Sequence, residues 1–192
     1  MIMKPSDYET AASYDTDAFG VPAGGYVCEI KNLEYITTKT GKPQMKASLD
    51  IAEGEYAGYF LRRYKAAQAN GKAKWQCAYT TFVETPDGGT NPYYKGFISA
   101  TQKSNPDFII NWAGEPAQFR GKKIGMVFGE EEFIGNDGRK HVSVKPVACR
   151  NAEAIRNGDF RVPARKTLDD ASGVSDTSDT FTPVPADDDL PF

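Results

Sequence analysis

Gly24-Gly25-Tyr26-Val27-Cys28-Glu29-Ile30-Lys31-Asn32-Leu33-Glu34-Tyr35 carries a two-residue period that sets the architecture. Tyr26, Cys28 and Ile30 alternate with Val27, Glu29 and Lys31, the period of a strand with one face buried. After Lys31 the apolar phase slips by one residue, to Leu33 and Tyr35. A one-residue slip in a continuous strand predicts a β-bulge, which bends the strand from one sheet into another. The first strand of a small closed barrel has to make such a bend.

Downstream, Lys39-Thr40-Gly41-Lys42 supplies a turn, and Met45, Ala47, Leu49 and Ile51 then alternate with Lys46, Ser48 and Asp50. After Glu53-Gly54-Glu55 and Gly58, Tyr59-Phe60-Leu61-Arg62-Arg63-Tyr64 reads as a third strand, completing a meander. Residues 65–74 are small, polar and basic and read as a flexible loop. Trp75–Val83 fits helical and strand spacing alike; Thr80, Thr81 and Val83 tip it to strand. Asn91 can cap a helix that Pro92 opens, with Tyr94, Phe97, Ile98 and Thr101 on one face and Ser104-Asn105-Pro106 as its stop. A connection holding Trp112 leads to a strand with Ile124, Met126 and Phe128. Asn136-Asp137-Gly138 turns the chain into a last strand with Val142 and Val144.

Three strands, a helix and a hairpin give an all-β fold with one inserted helix, the order of a five-stranded Greek-key OB-fold barrel. A generic α+β domain with an antiparallel sheet is the alternative. The expected division is an N-terminal arm over 1–21, an OB-fold domain over 22–166, and a disordered acidic tail over 167–192.

Charge follows the same division. The net charge is −3, and beyond Lys166 there are seven aspartates and no Lys or Arg, so removing that −7 leaves +4 on the first 166 residues. A mildly basic body can attract a polyanion, and an acidic tail can compete with it. No apolar run approaches the roughly 20 residues of a membrane span, and the first residues lack the apolar segment of a secretory signal. Cys28, Cys77 and Cys149 are an odd, widely spaced set, which fits a reduced intracellular setting. With His141 they form no paired zinc-ligand motif and read as small buried thiols. No cofactor motif and no catalytic motif is present. Glu130-Glu131-Glu132 beside Asp137 is the one acidic run a metal-dependent nuclease could use; such a run beside a hairpin is ordinarily a solvated face.

Two segments point to partners. Lys39, Lys42, Lys46, Phe60, Arg62, Tyr64, Lys65, Lys72, Lys74 and Trp75 interleave cations with aromatics. That mixture suits single-stranded nucleic acid, because cations neutralise phosphates while aromatic faces stack on any base. The chain closes on Asp187-Asp188-Asp189-Leu190-Pro191-Phe192. Solubility accounts for the acids but not for Leu-Pro-Phe.

This tip resembles the acidic tail of bacterial and phage single-stranded DNA-binding proteins, which recruits replication and repair enzymes. Further motifs resemble phage-encoded members of that group. They are Thr40-Gly41-Lys42, Glu53-Gly54-Glu55-Tyr56-Ala57-Gly58, Tyr94-Lys95-Gly96-Phe97-Ile98, Lys103-Ser104-Asn105-Pro106, Gly121-Lys122-Lys123, Val127-Phe128-Gly129-Glu130-Glu131-Glu132 and Ile155-Arg156-Asn157-Gly158-Asp159-Phe160. The resemblance implies a non-enzymatic OB-fold that coats single-stranded DNA in phage replication or recombination, in the cytoplasm of an infected bacterium. The tip would recruit replication or recombination proteins, with Phe192 in an apolar pocket and the acids against a basic rim. It implies no membrane partner and leaves homo-oligomerisation open. An adaptor using the same tail without nucleic acid, or a nuclease built on the Glu130 run, are the competing readings.

Overall fold

The computed structural model describes residues 20–68, 71 and 73–168. Most of the N-terminal arm, Lys72 and the tail from 169 onward, including Asp187–Phe192, lie outside the described residues.

β1 (Gly24–Thr37) and β2 (Pro43–Ile51) pair as an antiparallel hairpin whose register shifts between Ile30 and Asn32. This is the bulge the phase slip predicts. Its cause is a change of neighbours. From Gly24 to Glu29, β1 also pairs with β4 (Lys123–Ile134). At Ile30 that ladder passes to the loop before β4: Ile30 N–H donates to the Lys122 carbonyl at 2.9 Å, and the Ile30 carbonyl accepts from Gly121 N–H at 2.8 Å. The Arg120 guanidinium donates to Asn32 Oδ1 at 2.9 Å, holding the residue just past the bulge. The inward series Cys28, Ile30, Leu33 is buried on both sides of the slip.

β3 (Ala78–Phe82) pairs with the outer edge of β2, and β5 (Lys140–Arg150) with β4. The sheet therefore has five antiparallel strands in the order β3-β2-β1-β4-β5. It curls like a barrel but is not closed. Its two edges share no ladder, yet β3 and β5 approach each other. Among the described residues no helix is long and apolar enough to cross a membrane.

Among the described residues, three α-helices accompany the sheet rather than one. The expected third strand at Tyr59–Tyr64 is instead α1 (Tyr59–Gln68), and the strand's place in the order is taken by β3. The residues of α1 explain the correction. Leu, Arg, Lys, Ala and Gln are strong helix formers, and the segment has no β-branched residue. Phe60 and Tyr64, read as alternating strand positions, are equally an i,i+4 pair. A tertiary contact decides between them. The buried Asp50 carboxylate of β2, 2% exposed, accepts the backbone N–H groups of Ile51 and Phe60, each at 3.0 Å. It satisfies a donor that the first turn of a helix leaves unpaired. The helix also takes in residues 65–68 of the expected loop.

α2 (Pro92–Ser104) follows its sequence signals. Asn91 Oδ1 accepts from Tyr93 N–H at 2.9 Å, and Tyr94, Phe97, Ile98 and Thr101 are buried. The helix packs on β3, β4 and β5, with the Phe97 ring stacked on Tyr79 at 5.7 Å. Its end is a joint. Asn105 donates to the carbonyls of Thr101 and Lys123, each at 2.7 Å, and accepts from Lys123 N–H at 3.0 Å. Ser104 Oγ accepts from Ala152 N–H at 2.8 Å, anchoring the start of α3 (Ala152–Arg156). Ile155 and Phe160 then cover the outer side of β1 and β4, where glycines leave room. A Cβ on Gly125 would lie 2.5 Å from the Asn151 carbonyl, and one on Gly25 would lie 2.5 Å from the Phe160 ring.

One end of the curled sheet is filled by five aromatic rings in a closed circuit. Tyr26 meets Tyr56 and Phe128, Tyr56 meets Tyr59, Tyr59 meets Phe60, and Phe60 stacks on Phe128. Phe60 joins this packing only because α1 starts where Asp50 holds it. Replacing Asp50 with Ala strips a buried N–H of its acceptor, so a destabilisation of about 1–3 kcal/mol is expected in urea unfolding. An unchanged midpoint would show that Asp50 does not hold α1.

Candidate nucleic-acid interface

α1 carries Arg62, Arg63 and Lys65 and no acidic residue. Arg62 and Lys65 are exposed, three residues apart on the outer side of the helix. Arg62 donates to the Ala57 carbonyl at 2.6 Å. Arg63 lies over the Tyr59 ring, 5.6 Å from its centroid, and donates to its hydroxyl at 2.8 Å. Tyr64, half-buried, tilts against Trp75 with ring centroids 5.3 Å apart. Trp75 is itself fixed, because its indole N–H donates to the Leu49 carbonyl at 3.0 Å on the edge of β2. Arg62 and Lys65 thus share one side of α1, while Tyr64 meets Trp75 on another, with Lys74 next to Trp75 in sequence.

The other expected binding residues are distributed differently. Lys39 and Lys42 are exposed in the β1–β2 turn, where Gly41 takes a positive φ of 78° and Thr38 Oγ1 accepts from Lys42 N–H at 3.1 Å. Seven residues of strand separate Lys42 from Leu49, roughly 23 Å at 3.3 Å per residue. Lys46 lies between them on the outward face of β2, in an ion pair with Glu34 at 3.4 Å. The same face presents Ser48 of β2 and Thr80 and Phe82 of β3. Phe60 does not belong to this surface. It is buried in the aromatic circuit, a consequence of the helix that replaces the expected strand.

Sequence reading passed over a second aromatic site. Trp112 is 71% exposed and Tyr35 43%, and both border a cavity of about 220 Å³ beside α2. Trp112 sits in Ile109-Ile110-Asn111-Trp112-Ala113-Gly114, a stretch with neither helical nor strand period. A Trp in such a segment was the available signal; its exposure depends on tertiary packing.

The acidic run of β4 is engaged in ion pairs. Glu130 pairs with Arg165 at 2.6 Å, Glu131 with Lys145 at 3.1 Å and Lys166 at 3.7 Å, and Glu132 with Lys140 at 3.8 Å. Lys166 also joins β4 by backbone bonds, donating to the Glu130 carbonyl and accepting from Glu132 N–H. The Glu run thus stitches the chain to β4 just before the tail begins. His141 pairs with Asp137 at 2.9 Å on the β4–β5 turn, away from the cysteines. Cys28 and Cys77 are buried and Cys149 is partly so. Burial pushes all three thiols up, that of Cys149 to about 12. No protein-family model matches the chain, and no curated protein is detectably similar to it.

Glu53 ties three segments together. It accepts from Arg156 of α3 at 2.8 Å and from Lys123 of β4 at 2.6 Å. Hydrogen bonds from Arg156, then from Lys123, hold its carboxyl down at about 2. A depressed carboxylate stabilises the fold above its unfolded value, near 4.3, and loses that contribution as pH falls through its folded value. These side chains are between a third and a half exposed, so solvent screening limits the effect to about 1 kcal/mol. Wild type should therefore exceed Glu53→Gln in urea stability at pH 7. The gap should shrink between about pH 4.5 and pH 2. A gap that is constant over that range would refute the assignment.

Proposed function

We propose that this chain is a non-enzymatic, sequence-independent single-stranded DNA-binding protein built on an OB-fold. The observation that carries the reading is the acid-free helix α1, with exposed Arg62 and Lys65 beside the fixed Tyr64–Trp75 pair. Cations and aromatic rings carried by one helix and its neighbour fit a strand whose bases are unpaired. The sheet order supports it. An OB barrel is a partly open five-stranded Greek key that binds oligonucleotides on its strand 2–3 face and at its strand 1–2 loop. Here that face and loop hold Lys46, Thr80, Lys42 and Lys39. A strand laid from α1 along β2 to the turn would meet cations at both ends, Arg62 and Lys65 at one and Lys39 and Lys42 at the other, with Lys46, paired with Glu34, between them. The ion pairing of Glu130, Glu131 and Glu132 favours a structural rather than a nuclease role for that run.

In this reading Asp187–Phe192 recruits replication or recombination enzymes of an infected bacterium and competes with DNA for the basic surface. The tip's Leu190-Pro191-Phe192 supplies the apolar contact and Asp187, Asp188 and Asp189 the charge.

Labelled single strands, but not duplex, should shift in a gel, and more weakly as salt rises. The double variant Arg62→Ala, Lys65→Ala should bind less tightly and lower the slope of log K against log salt by roughly 1.4, at about 0.7 per lost phosphate contact. Its melting temperature should be unchanged. Equal binding of duplex, or no binding of either, would refute the proposal and leave the adaptor reading. Deleting residues 187–192 should leave DNA affinity unchanged or raise it. A clear loss would refute competition by the tip.

A further inference from the structure

We infer that the cavity between Tyr35, Tyr94 and Trp112 is a stacking subsite for one nucleobase of the bound strand, an inference that rests on the function proposed above. At about 220 Å³ the cavity is smaller than the roughly 300–1,000 Å³ of drug-sized ligand sites and suits a single planar heterocycle. Its lining holds no charged side chain. Ile110 and Phe119 add apolar surface beside the neutral amides of Asn111 and Gln118, a lining that suits a neutral ring better than a phosphate.

The rings are held in place before any ligand arrives. Tyr35 and Tyr94 hydroxyls hydrogen-bond at 3.0 Å, and their rings meet edge to face at 6.4 Å. Trp112 rides on a loop locked by Gln118. That side chain accepts from Asn111 N–H at 2.9 Å and donates to the carbonyls of Asn111 at 2.9 Å and Glu115 at 3.1 Å. Asn111 Oδ1 in turn accepts from Ala113 N–H at 3.1 Å. The loop backbone that carries this 71% exposed indole is fastened in this way and has little conformational freedom left to lose on binding. Because the amide of Gln118 is spent inside the loop, recognition would come from stacking and would tolerate any base. Phosphate partners lie close in sequence. Tyr35 is two residues from the end of β1, which leads into the Lys39–Lys42 turn, and Lys95 follows Tyr94. An aromatic side chain of a protein partner fits this reading less well, since the cations close to Tyr35 and Tyr94 in sequence favour a polyanion.

The test is fluorescence anisotropy with a labelled oligothymidylate and an abasic strand of equal length. Trp112→Ala should weaken oligothymidylate binding roughly 5- to 150-fold, the range for one lost stack. It should leave the salt slope and the melting temperature unchanged. Trp112→Phe should recover most of the affinity, and the abasic strand should not distinguish Trp112→Ala from wild type. Wild-type binding that Trp112→Ala leaves intact would overturn the subsite alone. Equal weakening on the abasic strand would also overturn it, by showing a backbone contact. Failure of wild type to bind either strand would overturn the subsite together with the function it rests on.

Discussion

β1 changes partners along its length: Gly24 to Glu29 pair with β4 and Cys28 to Thr37 with β2, so the two ladders overlap only at Cys28 and Glu29. Every other element takes its position from that change of partners. The bulge lets the inward series continue from Ile30 to Leu33 while the strand bends, so the sheet curls instead of lying flat. Curling brings β3 and β5, the two ends of the sheet, towards one another, and α2 packs against both. A straight β1 would have turned Leu33 outward and left the core without one wall.

Several motifs that carry the family resemblance turn out to be joints. Ser104 and Asn105 fasten α2 to α3 and β4. Arg156 reaches Glu53, and Phe160 fills the space that Gly25 leaves. The Glu130 run holds the chain beside β4. These residues report how the body is assembled. The surface proposed to meet DNA lies elsewhere, on α1 and along β2, where simple cations and aromatics suffice and many sequences would serve.

Legibility of the sequence followed from how local each determinant is. α2 could be read because Asn91, Pro92 and the spacing of Tyr94, Phe97, Ile98 and Thr101 all act within the helix. The β1 bulge could be read because a phase slip is itself a local pattern. α1 could not: over six residues Phe60, Arg62 and Tyr64 fit both periods, and the deciding acceptor, Asp50, lies ten residues upstream. The same error placed Phe60 on the binding surface. Trp75 was recognised as a candidate, but its anchoring to Leu49 needed the fold. Trp112 escaped because nothing in a non-periodic loop tells an exposed indole from a buried one.

The three cysteines have a practical bearing. Their thiols are packed in or against the core and are held protonated well above neutral pH, so almost none is present as the thiolate that attacks alkylating reagents or peroxides. A single cysteine introduced on the surface would therefore take up a maleimide dye almost alone. The native chain can be labelled at a chosen position without first removing Cys28, Cys77 or Cys149, and without opening the core they help to fill.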